Sequence, residues 1–147
     1  MAISTEEHIC GLISVADGVR AMAAEAIRAL KRLGIAVVVM LTGDNRGTAQ
    51  AVGTLLGVDE VHAELLPADK VKAIEALRRT YGEIAMVGDG VNDAPAMAAA
   101  TLGIAMGAVG TAAAMETADI ALMSDDLTRL AWLVVHARRT LRVIQQN

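Results

Sequence analysis

Two short polar turns in this sequence carry residue types that can bind a phosphate and a metal ion. The first turn, Thr42–Asn45, follows the apolar run Ile35–Leu41, and the second, Gly88–Asp93, follows the run Ile84–Val87. Lys70 lies between them in the chain. A hydroxyl, backbone amides, an ammonium group and several carboxylates can together hold a phosphoryl group. Phosphoryl transfer depends mainly on such positioning and charge stabilisation.

The second turn has the composition of a magnesium site. Mg²⁺ prefers oxygen ligands and is usually held by one or two carboxylates together with phosphate and water. Asp89 is the expected direct metal ligand, and Asn92 and Asp93 complete or orient its shell. Gly88 and Gly90 let the backbone turn tightly and approach the ion. Two acids and an amide among glycines exceed what an ordinary turn needs, so the segment predicts a functional site with Asp89 and Asp93 as metal-binding candidates.

The first turn and the lysine supply the predicted phosphate contacts. Thr42 and the Gly43 amide are expected to donate hydrogen bonds to phosphoryl oxygens, and Lys70 to neutralise phosphate charge. Taken alone, these residues equally suit a helix-capping turn, with Asn45 as the cap, and a solvated lysine. Their occurrence together with the second turn favours function. The candidate catalytic residues are Thr42, Gly43, Asp44 and Lys70, and the candidate cofactor contacts are Thr42, Lys70 and Asn92.

The elements around these turns alternate between short β-branched strands and amphipathic helices. The alternation predicts an α/β fold with a doubly wound, mostly parallel sheet. Ligands of such sheets bind at the carboxyl ends of the strands, where both turns fall. The predicted strands are Ile9–Val15, Ile35–Leu41, a short one near Val61, Ile84–Val87, Leu102–Ala105 and Ile120–Met123. The predicted helices are Arg20–Leu33, Arg46–Leu56, one from Pro67, Pro95–Ala100, Thr111–Ala118 and one from Leu127 to the end.

Composition and charge limit the classes of function. The 147 residues suit one domain, or one domain and part of another. A net charge of −4 without a basic, aromatic stripe argues against nucleic-acid binding. The longest strongly apolar stretch, Ile35–Leu41, is far shorter than the roughly 20 residues that span a bilayer, and no secretion signal is present. The single cysteine, Cys10, excludes an internal disulfide. We therefore expect a soluble, cytosolic chain.

The last predicted helix combines an apolar stripe with a basic cluster. The cluster suits either a solvated face or a position near a membrane. The stripe consists of Leu130, Val134, Ala137, Leu141 and Ile144, and the cluster of Arg138, Arg139 and Arg142. Because aromatic residues make up only 1% of the chain, its 8 methionines are expected to contribute to the core.

The motifs resemble those of P-type ATPases, which belong to the haloacid dehalogenase superfamily. The resemblance rests on Thr42–Asn45, Glu64–Lys70 and Gly88–Pro95, and it extends from about Gly11 to Asn147. It implies a haloacid dehalogenase-like, Rossmann-like core. Within the family, the chain is more similar to zinc, cadmium and lead exporters than to copper pumps, although Ala112 stands where many of these pumps have an aspartate. The segments behind this comparison are Gly107–Thr111, Glu116–Asp119 and Asp125–Leu127.

This resemblance implies an ATP-driven heavy-metal cation transporter that forms and hydrolyses an aspartyl-phosphate. Thr42 and Lys70 would contact the phosphoryl group, Asp89 would bind Mg²⁺, and Asn92 and Asp93 would support that site. ATP would be held by a separate nucleotide-binding domain. The implied partners are the nucleotide-binding, actuator and transmembrane domains of a pump in the cell membrane. The transported divalent metal would bind elsewhere, and its identity stays open.

The resemblance also divides the chain. Residues 1–16 would be the terminal strand of the nucleotide-binding domain and the hinge, and residues 17–147 the C-terminal part of the phosphorylation domain, ending in a stalk helix. The Asp-Lys-Thr-Gly-Thr segment that is phosphorylated in these pumps is absent, which implies a fragment that is inactive alone. Its sheet would lack a central strand. Either Ile9–Val15 fills this place, or two copies pair or swap there as a homodimer.

Two alternative functions remain compatible with the sequence. One is a freestanding phosphatase of the same superfamily, with Asp17 as its nucleophile because this residue follows an apolar run and precedes a glycine. The other is a regulatory or interaction domain that keeps the fold without catalysis. Magnesium binding and phosphatase activity would separate the three possibilities.

Overall fold

A computed structural model describes residues 2–5, 8–12, 16–88, 92–107, 116 and 118–145 of the chain. Within these residues, strands and helices alternate over most of the length, as the sequence predicts. The strands are β1 (Ala2–Thr5), β2 (His8–Leu12), β3 (Val39–Leu41), β4 (Glu60–His62), β5 (Ala85–Gly88), β6 (Leu102–Met106) and β7 (Ile120–Leu122). The helices are α1 (Ala16–Arg32), α2 (Arg46–Leu56), α3 (Pro67–Tyr81), α4 (Ala94–Ala99) and α5 (Thr128–Gln145).

The described strands form three separate sheets. Strands β3 and β4 pair in parallel, and β5, β6 and β7 pair in parallel in that order, whereas β1 and β2 form an antiparallel hairpin. The predicted α/β fold with a mostly parallel sheet is confirmed. The prediction that Ile9–Val15 fills a central place in the parallel sheet is wrong for the described part of this segment, because β2 pairs with β1 in a separate antiparallel hairpin and with none of the parallel strands. Residues 13–15 lie outside the described residues.

Strand β3 is shorter than predicted and begins at Val39 instead of Ile35. Just before the strand, side-chain bonds of Asp59 add to the backbone hydrogen bond from the Asp59 amide to the Val38 carbonyl, at 2.8 Å. The Asp59 carboxylate accepts hydrogen bonds from the Lys31 ammonium at 2.7 Å and from the Val38 amide at 2.8 Å. These bonds, the Lys31 bond foremost, hold the pKa of the Asp59 carboxyl below its usual value. Together, the bonds of Asp59 tie the end of α1 to the segment before β4 and so fix where β3 enters its sheet.

The other predicted elements agree with the structure to within a few residues, with two exceptions. Helix α1 begins at Ala16 instead of Arg20, so Asp17 lies in its first turn. The predicted helix Thr111–Ala118 falls largely outside the described residues, where only the helical backbone of Glu116 and an irregular Ala118 are defined. Neither difference alters the sequence of strands that presents the two polar turns.

The core is built from small aliphatic side chains and methionine, as the scarcity of aromatic residues predicts. One cluster joins Ile74 of α3, Met86 of β5 and Met97 of α4, and Met97 is only 1% exposed. Leu41 of β3 packs against the same cluster. The two parallel sheets therefore share a core although no strand ladder connects them in the described part of the chain. Met123, by contrast, is exposed.

Helix α5 is buried only along its first turns. Leu130 packs with Ile104 and Met106 in a second core cluster, and the helix lies against α1. The later members of its predicted apolar stripe, Ala137, Leu141 and Ile144, are exposed, so the stripe covers the core only in its first half. No helix among the described residues is long and apolar enough to cross a bilayer.

The start of α5 is fixed by Asp126. Its carboxylate accepts hydrogen bonds from the Thr128 hydroxyl at 2.6 Å and from the Thr128 amide at 2.9 Å. These two bonds, the hydroxyl bond foremost, hold the pKa of the Asp126 carboxyl below its usual value. An amide at the helix start that would otherwise lack a partner within the helix is thereby satisfied.

The contact between α2 and β4 depends on a glycine, and this gives a test of the packing. A Cβ atom added at Gly53 would lie 2.3 Å from Cγ2 of Val61. We expect Gly53→Ala to lower the free energy of unfolding by about 1–3 kcal/mol because the strand must shift. Gly47→Ala in the same helix is the control. Its Cβ would meet only Asn45 Oδ1, at 3.4 Å, and alanine favours the helix. Urea unfolding followed by circular dichroism measures both, and equal stability would contradict the packing.

Candidate functional site

The first predicted turn directly continues β3. The Thr42 amide donates to the His62 carbonyl at 2.9 Å, which extends the pairing of β3 with β4. The Thr42 hydroxyl donates to the Asp44 carboxylate at 3.0 Å and accepts from the Asp44 amide at 3.1 Å. Thr42 is half-buried and Asp44 is exposed. The predicted residues Thr42, Gly43 and Asp44 thus form one closed turn at the carboxyl end of the strand.

The loop after β4 wraps around this turn. The Leu65 amide donates to the Thr42 carbonyl at 3.1 Å, and the Glu64 amide to the Asp44 carbonyl at 2.9 Å. Glu64 has a φ of 59°, a left-handed conformation that costs a non-glycine residue roughly 1 kcal/mol or more. A Cβ atom at Gly43 would stand 3.3 Å from the Leu65 carbonyl oxygen, so the close approach of the two loops favours glycine there.

Asn45 serves as the N-cap of α2. Its side-chain oxygen accepts a hydrogen bond from the Thr48 amide at 2.9 Å. The interpretation of Asn45 as a capping residue is therefore confirmed. The cap also explains why the chain leaves the Thr42 turn directly as a helix.

The second turn and the lysine meet in an ion pair. The Lys70 ammonium, in the first turn of α3, lies 2.6 Å from Oδ1 of Asp93, and the two side chains are only 18% and 15% exposed. Lys70 follows β4 and Asp93 follows β5, so the pair joins the carboxyl ends of the two parallel sheets. The sequence analysis predicted that both residues lie at the carboxyl edge of the sheet, but it did not predict that they contact each other.

Gly88 makes room for the Asp93 carboxylate. A Cβ atom at Gly88 would lie 2.7 Å from both Cβ and Oδ2 of Asp93, closer than any side chain tolerates. The sequence suggested that this glycine lets the backbone approach a metal ion. The sequence analysis did not predict the contact between Gly88 and Asp93. The only feature of the sequence that could have indicated it is the short spacing between Gly88, the last residue of β5, and Asp93.

The remaining predicted residues are less closely defined. Asp89 and Gly90 lie outside the described residues, and Asn92 is exposed beside Asp93. Within the described part of the chain, no group of three or more His, Cys, Asp or Glu side chains is arranged to hold a metal ion. Nor does a hydrogen bond or ion pair there join the Thr42–Asp44 pair to the Lys70–Asp93 pair. Asp17 has a helical backbone in α1, which does not suit a nucleophile at the end of a strand.

The arrangement of strands, turns and charged groups can be compared with known proteins. A model of the haloacid dehalogenase-like hydrolases matches residues 2–101 of the chain. This chain belongs to the haloacid dehalogenase-like hydrolase family. The predicted fold class is therefore confirmed at the level of the family as well as of the sheets.

Individual relatives of this chain are named as metal-transporting ATPases. The chain is 54% identical over 147 residues to a probable cadmium-transporting ATPase of Alkalihalophilus pseudofirmus and 53% identical over 147 residues to a cadmium-transporting ATPase of Staphylococcus aureus. All of this chain is covered in both cases, but only 20% of each relative. The chain thus spans about one fifth of the length of these relatives.

A solved structure of a metal-transporting ATPase is also similar to this chain. The crystal structure of a zinc-transporting PIB-type ATPase in the E2.Pi state superposes with a TM-score of 0.74 and 50% sequence identity, covering 84% of this chain and 20% of that one. The resemblance to the zinc and cadmium branch of the P-type ATPases, stated from the motifs, is confirmed by these matches.

The Lys70–Asp93 pair gives a second test. Lys70→Met or Asp93→Asn alone leaves one partly buried group without its partner, so we expect a coupling energy of about 1–3 kcal/mol in a double-mutant cycle of unfolding. The exposed pair Lys72–Asp69, at 3.3 Å with side chains 76% and 40% exposed, is the matched control. For the corresponding Met and Asn variants we expect a coupling energy below about 0.5 kcal/mol. Equal coupling in both cycles would show that the site pair has no special structural role.

Proposed function

We propose that the chain is the magnesium- and phosphate-contacting portion of the phosphorylation domain of an ATP-driven heavy-metal cation transporter. The observation that carries this proposal is the Lys70–Asp93 pair, which brings the ends of β4 and β5 together beside the Thr42 turn. These are the positions at which the motifs resemble P-type ATPases, and the relatives that match over the whole chain are named as cadmium transporters. The reaction would be the formation and hydrolysis of an aspartyl-phosphate.

Each proposed phosphate contact has a physical basis in the turn geometry. Lys70 provides positive charge next to the developing charge of the phosphoryl group, and the Gly43 amide provides a fixed donor. Thr42 has one hydroxyl proton, and this proton is directed at Asp44. The hydroxyl must therefore turn away from Asp44 when it donates to a phosphoryl oxygen, while it can keep accepting from the Asp44 amide. Asp44 would thus position Thr42 without touching the phosphate.

The donor set at the second turn suits magnesium. Hydrolases of this family generally use Mg²⁺, and carboxylate and amide oxygens are the ligands it prefers. We propose that Asp89 binds the ion and that Asn92 and Asp93 support it. Asp93 fits a supporting position because Lys70 and the backbone of Gly88 hold its carboxylate at the end of β5. The ion, when bound, would neutralise charge on phosphoryl oxygens.

Strands β3 and β5 do not pair with each other among the described residues, and this suggests where the strand that carries the phosphorylated aspartate would lie. Each strand pairs with one neighbour among the described residues, and Leu41 and Met86 share one core cluster between them. We propose that a further parallel strand, ending in the Asp-Lys-Thr-Gly-Thr segment typical of P-type ATPases, lies in this gap and places its aspartate between Thr42 and Lys70. Without that segment, the chain binds magnesium weakly and does not turn over ATP.

The proposed parent protein follows from the same resemblance. Residues 1–16 would end the nucleotide-binding domain, which holds ATP, and form the hinge, and residues 17–147 would complete the phosphorylation domain and lead into a stalk. Its partners would be the nucleotide-binding, actuator and transmembrane domains of a cell-membrane pump. The transported divalent heavy metal would bind in the membrane. The chain itself would face the cytosol.

Magnesium titration of the chain tests the proposed site. We expect weak binding that disappears in Asp89→Ala and that weakens about tenfold to a hundredfold in Asp93→Asn, because supporting residues orient the ligands. Glu83→Ala, at the opposite end of β5, is the control and should bind like the unchanged chain. Isothermal titration calorimetry and NMR chemical shifts report the binding.

A synthetic peptide with an apolar strand and the Asp-Lys-Thr-Gly-Thr segment extends this test. We expect the peptide to bind the chain. In the presence of Mg²⁺, beryllium fluoride should then bind to the aspartate of the peptide and mimic an aspartyl-phosphate. A peptide with asparagine for the aspartate should bind without retaining beryllium fluoride. Retention by the chain alone would contradict the proposal, and so would magnesium binding that survives Asp89→Ala.

A further inference from the structure

The loop between β4 and α3 contains an unusual backbone conformation at Glu64. Its φ of 59° lies in the left-handed region, and no other non-glycine residue among those described has a positive φ. That region is unfavourable for any residue with a Cβ atom, so a residue stays there only when its surroundings fix it. The bonds around Glu64 must therefore offset the cost, and they show what the conformation achieves.

The peptide groups at Glu64 are bonded, whereas its side chain is not. The side chain is exposed, and it forms no hydrogen bond or ion pair within the described part of the chain. The Glu64 amide, in contrast, donates to the Asp44 carbonyl at 2.9 Å, and the Leu65 amide donates to the Thr42 carbonyl at 3.1 Å. The structure therefore uses the backbone of Glu64 and not its carboxylate.

Glu64 acts as an extra residue at the end of the ladder between β3 and β4. The Thr42 amide donates to the His62 carbonyl at 2.9 Å, as expected for parallel strands. In a regular parallel ladder, the Thr42 carbonyl would then accept a hydrogen bond from the amide of residue 64. It accepts from Leu65 instead, and the Glu64 amide turns to Asp44. An extra residue of this kind is typical of a β-bulge, which ends the pairing and redirects the chain.

The redirected loop determines where α3 begins. Leu65 comes so close to the turn after β3 that a Cβ atom at Gly43 would lie 3.3 Å from the Leu65 carbonyl oxygen. The next residue, Leu66, precedes α3, and its carbonyl accepts a hydrogen bond from the Lys70 amide at 3.0 Å. Lys70 thus lies one helical turn beyond a segment that is held against the first turn. The conformation of Glu64 therefore also fixes the backbone of Lys70.

We propose that Glu64 is a positioning residue that sets the Lys70 ammonium relative to the Gly43 amide, the two donors assigned above to the phosphoryl group. This role rests on the proposed function of the two donors. Glu64 itself does not touch the phosphoryl group and acts only through the path of the loop. Because its role belongs to the backbone, residues that tolerate the left-handed region, such as asparagine and glycine, should preserve it. A β-branched residue, which strongly avoids that region, should abolish it.

Amide hydrogen exchange and NMR test the effect on the loop without magnesium or phosphate. In Glu64→Val we expect the Leu65 amide to exchange at least about tenfold faster, relative to the amide of Ile74 in the core, because the left-handed conformation becomes that much less populated. The side-chain nitrogen signal of Lys70 should shift as its pairing with Asp93 changes. Glu64→Asn should match the unchanged chain in both measurements.

Two further variants complete these measurements. Glu83→Val makes the same substitution at an exposed residue whose φ is not positive, so it should change neither the exchange of the Leu65 amide nor the Lys70 signal. Glu64→Ala should change both in the same direction as Glu64→Val but less, because alanine is not β-branched. It takes the place of the valine variant if circular dichroism shows that the latter does not fold.

The peptide with the Asp-Lys-Thr-Gly-Thr segment tests the link to the phosphoryl group. With this peptide and Mg²⁺, Glu64→Val should retain beryllium fluoride about tenfold more weakly than the unchanged chain, because misplaced donors lose much of their effect. Glu64→Asn should retain it equally well. If the unchanged chain with the peptide retains no beryllium fluoride, the proposed function is contradicted and the role of Glu64 at a phosphoryl site falls with it. The exchange and NMR results would then still decide whether Glu64 directs the loop.

Three results would overturn the positioning role of Glu64 while the proposed function stands. The first is an unchanged exchange of the Leu65 amide and an unchanged Lys70 signal in Glu64→Val. The second is an equal change in Glu64→Asn and Glu64→Val, which would assign the effect to the lost carboxylate. The third is an altered loop in Glu64→Val with undiminished retention of beryllium fluoride, which would make Glu64 a purely structural residue.

Discussion

The Lys70–Asp93 ion pair is the contact on which the geometry of the candidate site depends. The two parallel sheets share apolar packing but no backbone ladder among the described residues, and apolar packing is not directional. A charge-assisted hydrogen bond of 2.6 Å between largely buried groups does fix a direction and a distance. It sets the loop after β4 against the turn after β5, and the Thr42 turn follows because its backbone is bonded to the same loop.

The described polar side chains of the candidate site are paired with one another. Asp93 is neutralised by Lys70, and the Thr42 hydroxyl is engaged by Asp44. A phosphoryl group bound as we propose would compete with Asp44 for the Thr42 hydroxyl proton, so the net gain on binding would be smaller than the number of contacts implies. The Lys70–Asp93 pairing also places opposite charges next to each other at this edge of the sheet, which offsets the charge of both groups. The backbone amides, by contrast, are held in place by the turn itself.

The sequence predicted those features that arise from local pattern. The strand before the second turn, the helix stop at Gly57 and the start at Pro67 all depend on nearby residues, and each agrees with the structure to within about one residue. Features that depend on distant partners were not predictable. Strand β3 is shorter than its apolar run, β2 pairs with β1, and the second half of the apolar stripe of α5 is exposed. The contact of Asp93 with Gly88 is also of this kind, because it requires atomic positions and not residue types.

The separation of the parallel strands into two sheets has a consequence for the order of folding. The units β3–α2–β4 and β5–α4–β6 each close a loop of a few tens of residues, so their contacts are local and inexpensive in chain entropy. Joining the units also requires contacts of longer range, such as that of Leu41 with the core cluster that contains Met86, so we expect it to follow the closure of each unit. The candidate site draws residues from both units, so we expect it to be assembled last. A folding intermediate with both units formed would have the Thr42 turn and the turn after β5 in place, but Lys70 of α3 would not yet be paired with Asp93.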